Sequence, residues 1–198
     1  MMLPGQFDRV ALRRLGMAFA VLATMTAGFL AFGVRINVTA SIPLGLYIRS
    51  TGKPVPGVIA EFCPAGMSES ESERYRGFGL GCQDKSIPLL KPIVAVTGDR
   101  VEFSDQGIAV NGKLIPNTVP REIDGKGRRL RPWPAGGYTV EPDKIVVASA
   151  YHPGSYDSRY LGPIALVDVE AESSAVVGSS PRIQNAWTKA MTLEEFLS

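Results

Sequence analysis

A serine can act as a nucleophile without histidine if a nearby amine is neutral enough to take its proton. Two positions of this sequence could form such a pair. Ser41 stands in Thr39-Ala40-Ser41-Ile42-Pro43-Leu44-Gly45-Leu46-Tyr47. A serine followed by X-Pro-X-Gly sits on a turn, where its Oγ can be presented with no helix around it. Lys91 follows Leu89-Leu90 and opens the run Pro92-Ile93-Val94-Ala95-Val96, with no Asp or Glu within five residues on either side. An ammonium buried among such side chains loses hydration, and its pKa falls by up to ~3–5. A third segment, Ser155-Tyr156-Asp157-Ser158-Arg159-Tyr160-Leu161-Gly162-Pro163, sets Asp157 and Arg159 two apart. Such a pair can bond together and brace its neighbours. Taken alone, each segment also reads as something ordinary: a turn serine, a strand-end lysine reaching water, a polar loop.

The single histidine, His152, allows a rival triad of Ser41, His152 and Asp157. It precedes Pro153-Gly154 and reads better as a turn residue. Cys63, Cys82 and His152 do not complete a tetrahedral zinc site without a carboxylate, so neither metal nor cofactor is expected.

These groups need elements to hold them. From Leu15 to Val34 run twenty residues without a charge. At about 1.5 Å rise each, they span the roughly 30 Å hydrocarbon layer. Arg9, Arg13 and Arg14 precede the run, and positive charge stays cytoplasmic, so the rest of the chain should be exported. A cleaved signal peptide is the rival, since Val38-Thr39-Ala40 offers small residues for a cut. The run is longer than the usual ~7–15 residues of a signal's apolar core, which favours an uncleaved anchor. The expected organisation is a cytoplasmic tip and anchor over 1–36 and an exported domain over 37–198. In a bacterium this means a single-pass inner-membrane protein with its domain in the oxidising periplasm. A Cys63–Cys82 disulfide is then expected, closing a loop worth about 3 kcal/mol in the chain-entropy model.

Beyond the anchor the apolar runs are short and β-like: 46–48, 58–60, 93–96, 101–103, 108–110, 144–148 and 164–167. Asn111-Gly112 predicts a hairpin turn, and Thr97-Gly98-Asp99 a second tight turn. Residues 64–90 and 117–136 read as loops, and Gln184–Leu197 as a helix capped by Thr192. The fold class expected is mainly β, an antiparallel domain behind one N-terminal transmembrane helix. Net charge is +2, of which residues 1–35 carry +3, so the main domain has no excess for a nucleic-acid face. The cluster Lys126, Arg128, Arg129, Arg131 reads as a solvated loop.

Together the three segments resemble the type I signal peptidase family. In that family a Ser-X-X-Pro or Ser-X-Pro box follows the anchor. A lysine stands eight residues before the Asp of a Gly-Asp turn, as Lys91 stands to Asp99. A Ser-X-Asp-Ser-Arg-X-X-Gly box comes late, as from Ser155 to Gly162. Ser-Ile-Pro-Leu-Gly-Leu-Tyr is closer to the TraF-type peptidases of conjugative transfer than to housekeeping members, which usually have Ser-Met-X-Pro-Thr. The resemblance implies a signal-peptidase-like β domain. It also implies Ser41 as nucleophile, Lys91 as general base, and the Ser41 N–H with the Thr39 hydroxyl at the oxyanion. Ser155 matches a position that hydrogen-bonds the lysine. Asp157 is implicated in function in TraF-type enzymes, and the Asp157–Arg159 pair is mainly structural in related peptidases. The implied partners are an exported, pilin-like precursor with small residues before the cut, inner-membrane lipid and other transfer proteins. The alternatives are a housekeeping signal peptidase, a LexA-like self-cleaving repressor, and a non-enzymatic tethered protein of the transfer apparatus.

Overall fold

The uncharged run behind the N-terminal arginines is rich in Leu, Met and Ala, good helix formers, and it folds as α1, Arg9–Ala31. In this computed structural model residues 9–31, 33–50, 52–64, 82 and 86–177 are described. Inside α1 the polar groups are satisfied locally: Thr24 Oγ1 donates to Ala20 O at 3.0 Å and Thr26 Oγ1 to Leu22 O at 2.8 Å. Leu15, Phe19 and Leu22 are exposed along it. The helix and the uncharged run Leu15–Val34 do not coincide. The helix starts at Arg9, taking in Arg13 and Arg14, and Val34 already belongs to a strand. Among the described residues no helix is long and apolar enough to cross a membrane. The chain divides into two units, Met1–Val34 and Arg35–Ser198.

The second unit is mainly β. One seven-stranded sheet has the order β1 (Val34–Asn37), β2 (Gly45–Ser50), β11 (Val169–Val177), β3 (Ile59–Phe62), β4 (Leu89–Ala95), β9 (Lys144–Val147), β10 (Ile164–Ala165). A four-stranded sheet has the order β7 (Lys113–Leu114), β6 (Gly107–Val110), β5 (Arg100–Ser104), β8 (Gly136–Thr139). The register pairings of β3 with β4, β4 with β9 and β5 with β6 are all antiparallel. Asn111 and Gly112 take φ 51° and 83°, as a two-residue hairpin loop between β6 and β7 requires. At Thr97-Gly98-Asp99 the Asp99 carboxylate accepts from Val96 N at 2.8 Å.

β4 and β9 are buried on both faces, which is why they read as unbroken apolar runs. Leu89, Ile93, Ile145 and Val147 point into one core with Phe62 and Tyr156. Val94 and Val146 point into another with Val101 and Phe103. Alternation puts Lys91 on the face of Leu89 and Ile93, and register sets it opposite Ala60. On β3, buried Glu61 is gripped by Arg35 at 2.8 Å and Arg49 at 2.7 Å. Burial pushes its carboxyl up, but the two guanidiniums outweigh this and hold it below the usual range.

Four elements were not foreseen: β1, β8, β11 and the short helix α2, Ser158–Leu161. The run 164–167 is only half strand, since a 3-10 turn covers Leu166–Asp168. The helix expected over Gln184–Leu197, with its Thr192 cap, lies outside the described residues, as does most of the loop 64–90. The structure joins Cys63 and Cys82, with Cα atoms 5.5 Å apart.

Candidate active site

The turn between β1 and β2 has no ladder of its own, so side chains hold it. Asn37, at the end of β1, is buried. Its Nδ2 donates to the carbonyls of Thr39 at 2.8 Å, Ile42 at 3.1 Å and Pro43 at 3.1 Å. Its Oδ1 accepts from Thr39 N at 3.2 Å and Thr39 Oγ1 at 2.7 Å. Tyr47 OH also donates to Pro43 O, at 2.7 Å. With Ile42 sunk fully into the protein, the turn is pinned and Ser41 is held at its apex, 7% exposed.

Lys91 reaches Ser41 from β4. Its Nζ lies 2.7 Å from Ser41 Oγ, and the lysine is 6% exposed. Desolvation is the main influence on it, pulling its pKa from 10.5 down to about 8; Asp157 opposes the change and Arg159 assists it. An ordinary lysine is free base about once in a few thousand molecules at neutral pH, whereas one with pKa near 8 is free about once in ten.

Thr39 Oγ1 lies 3.2 Å from Ser41 Oγ. Its proton is committed elsewhere, because Asn37 Oδ1 can only accept. In this arrangement Thr39 turns lone pairs towards Ser41 and has no proton for an oxyanion. The Ser41 N–H, by contrast, donates to no acceptor among the described residues.

Asp157 and Arg159 form a buried bidentate pair, Nε to Oδ1 at 2.8 Å and Nη2 to Oδ2 at 2.9 Å. Asp157 also caps α2 by accepting from Arg159 N. Arg159 donates further to Asn117 O at 2.9 Å, Pro153 O at 3.0 Å and Ser149 O at 3.2 Å. Neither side chain bonds Ser41 or Lys91 directly. Ser155 is buried, but its Oγ has no hydrogen-bond partner, so the expected bond to Lys91 is not made. His152 is exposed and its Nδ1 accepts from Gly154 N at 3.0 Å; it serves its own turn and makes no triad.

Two residues at the site escaped sequence reasoning. Asn37 had a faint signal in the alternation Asn37-X-Thr39-X-Ser41. Ser149 had none, standing as one polar residue past an apolar strand.

A stranded β domain presenting a turn serine against a lysine buried in its core invites comparison with known peptidases. The family described as signal peptidase, peptidase S26, matches residues 10–177. The chain belongs to that family. The chain is also 37% identical over 161 residues to the conjugal transfer protein TraF of Agrobacterium fabrum, covering 79% of this chain and 89% of the relative. It is 36% identical over 142 residues to a plasmid transfer protein TraF of Escherichia coli, covering 71% and 80%. A solved signal peptidase I from Enterococcus faecalis is 19% identical, with TM-score 0.35, over 65% of this chain and 100% of that one.

Proposed function

We propose that the protein is a membrane-anchored serine endopeptidase that processes an exported precursor in conjugative transfer, with Ser41 as nucleophile and Lys91 as general base. The observation that carries this reading is the 2.7 Å contact between Ser41 Oγ and a buried Lys91 Nζ. Neutral Lys91 takes the Ser41 proton as Oγ attacks the scissile carbonyl. The resulting oxyanion meets the Ser41 N–H, a donor worth roughly 3–4 kcal/mol in a transition state. Lys91 then passes the proton to the leaving amine, and the acyl-enzyme is released to water. If the precursor's own amine attacks instead, the product is cyclic and lighter by one water.

The conjugative setting rests on the names of the TraF relatives, and a pilin-like precursor with small residues before the cut rests on family resemblance. The anchor reading is supported by Arg9, Arg13 and Arg14 before the apolar run and by the exposed apolar side chains of α1. Exposed Ile36, Val38 and Leu44 flank Ser41 and suit work at a lipid surface.

The test is precursor processing in donor cells. Ser41→Ala and Lys91→Arg should each abolish maturation with insertion intact, since guanidinium does not deprotonate in this range. Maturation by Lys91→Arg would overturn the dyad. Failure of viability rather than of conjugation on gene deletion would point to general secretion instead.

A further inference from the structure

We propose that Ser149 is a positioning residue that sets the nucleophile against its base, and that the Asp157–Arg159 pair serves the reaction by holding Ser149. The inference rests on the serine–lysine reading above and deepens it.

Ser149 is fully buried, and each of its polar atoms is engaged. Its N–H donates to Asp157 Oδ2 at 3.0 Å and its carbonyl accepts from Arg159 Nη2 at 3.2 Å. Its Oγ accepts from Tyr151 N at 3.1 Å and His152 N at 3.2 Å. Those bonds would suffice for a serine that only closes a turn. The remaining proton goes across 108 residues of sequence to the carbonyl of Ser41, at 2.5 Å. Asn37 holds the carbonyls of Thr39, Ile42 and Pro43, so Ser149 supplies the missing hold on the nucleophile's own peptide.

That bond closes a short ring. Ala148, the neighbour of Ser149, donates its N–H to Pro92 O at 3.0 Å, and Pro92 is the neighbour of Lys91. The ring runs from Ser41 Oγ to Lys91 Nζ, along the chain to Pro92 O, across to Ala148, and from Ser149 Oγ back to Ser41 O. Without Ser149 the nucleophile's turn would reach the base's strand only through the reacting contact itself and the longer path along β2, β11 and β3. Asp157 and Arg159 are the charged groups that act on Lys91, and they act in opposite directions. Asp157 favours the protonated lysine, the wrong state for a base, so its service to the reaction lies in what it holds.

The two roles separate by pH. Removing an uncharged hydroxyl should lower the plateau and leave the acid limb in place; removing the Asp157 charge should move the limb to lower pH. Full-length protein in detergent is assayed on a fluorogenic peptide with Ala-X-Ala before the scissile bond, alongside Ser41→Ala. For Ser149→Ala the plateau kcat per folded molecule should fall ~10–100-fold with KM within about 3-fold, the scale of loss for misplacing reacting groups by up to about 1 Å. Ser149→Cys, a weak donor of similar size, should recover part of it and carries the same test if Ser149→Ala does not fold. Asp157→Asn should shift the acid limb downward. A kcat per folded molecule close to wild type in the Ser149 variant that folds, or a shifted limb in it, overturns the inference. Turnover by Ser41→Ala would instead sink the dyad reading beneath it.

Discussion

Lys91 puts two demands on one side chain. In the proposed role of general base it must be neutral, and burial favours that state by penalising the charge. The same burial costs stability, and the sign follows from the direction of the shift. The folded pKa, about 8, lies below the unfolded 10.5, so below pH 8 a charge is buried that the unfolded chain leaves in water. That penalty, about 3 kcal/mol, shrinks as pH rises through 8 and is gone above the unfolded value. Two outcomes are expected. kcat/KM should rise with pH along a limb centred near pH 8. Lys91→Met should be inactive yet more stable than wild type at neutral pH by ~1–3 kcal/mol, a gain that narrows by pH 10. Calorimetry across that range checks it; a Lys91→Met protein less stable at neutral pH would mean that the lysine is not paying for its burial. The pairing of Ser41 with Lys91 was legible because both lie in spaced boxes. The bonds of Ser149 and Thr39 were not, and those of Asn37 left only a faint alternation, because each ties a polar side chain to a backbone group or another side chain, which residue type scarcely records.

At the scale of elements, strands that alternate or run apolar were readable, and those held by other means were not. β4 and β9 announce themselves because both faces meet a core. β8 is Gly136-Gly137-Tyr138-Thr139, with too few apolar side chains to signal a strand, and pairs with β5 all the same. β11 reads as Glu and Ser in its middle and exists because it fills the gap between β2 and β3. α2 reads as polar loop because it is a single turn whose Ser158 and Arg159 are polar, Arg159 being buried against the cap Asp157, even though Tyr160 and Leu161 pack on the core. Its C-terminal end is set by Gly162, at φ 69°, whose N–H returns to Ser158 O. A Cβ there would meet the Trp133 ring at 2.5 Å, while Trp133 N is bonded to Arg159 O at 2.7 Å. Gly162→Ala combines left-handed strain with overpacking and should cost ~2–4 kcal/mol, lowering Tm by roughly 5–15 °C. It should lower cleavage as well, because the displaced turn carries Arg159. Thermal melts and peptide cleavage on the same preparation test this; a protein with wild-type Tm would show that the tryptophan yields freely.

At the scale of the whole molecule, the proposed export rests on Arg9, Arg13 and Arg14 ahead of the uncharged run and on the disulfide of the β domain. Each argument is independent of the catalytic one. Charge sets orientation, since arginines resist transfer across the membrane. The disulfide would bear on compartment, since a reducing cytoplasm would not keep it. Cys63 and Cys82 lie 19 residues apart, a loop worth about 3 kcal/mol when closed. If the second unit is periplasmic, an alkaline phosphatase fused after Ser198 should be active and a green fluorescent protein exported there by the general secretory route dark. Maleimide should fail to label either cysteine in intact cells until reductant is added. Cys82→Ser should lower stability by ~2–4 kcal/mol in protein purified from the periplasmic side, and by nothing in protein expressed in a reducing cytoplasm, where the wild type lacks the bridge too. Cysteines that label without reductant, together with a dark phosphatase, would put the domain on the cytoplasmic side. The Ser41–Lys91 geometry would then need a substrate that never leaves the cell.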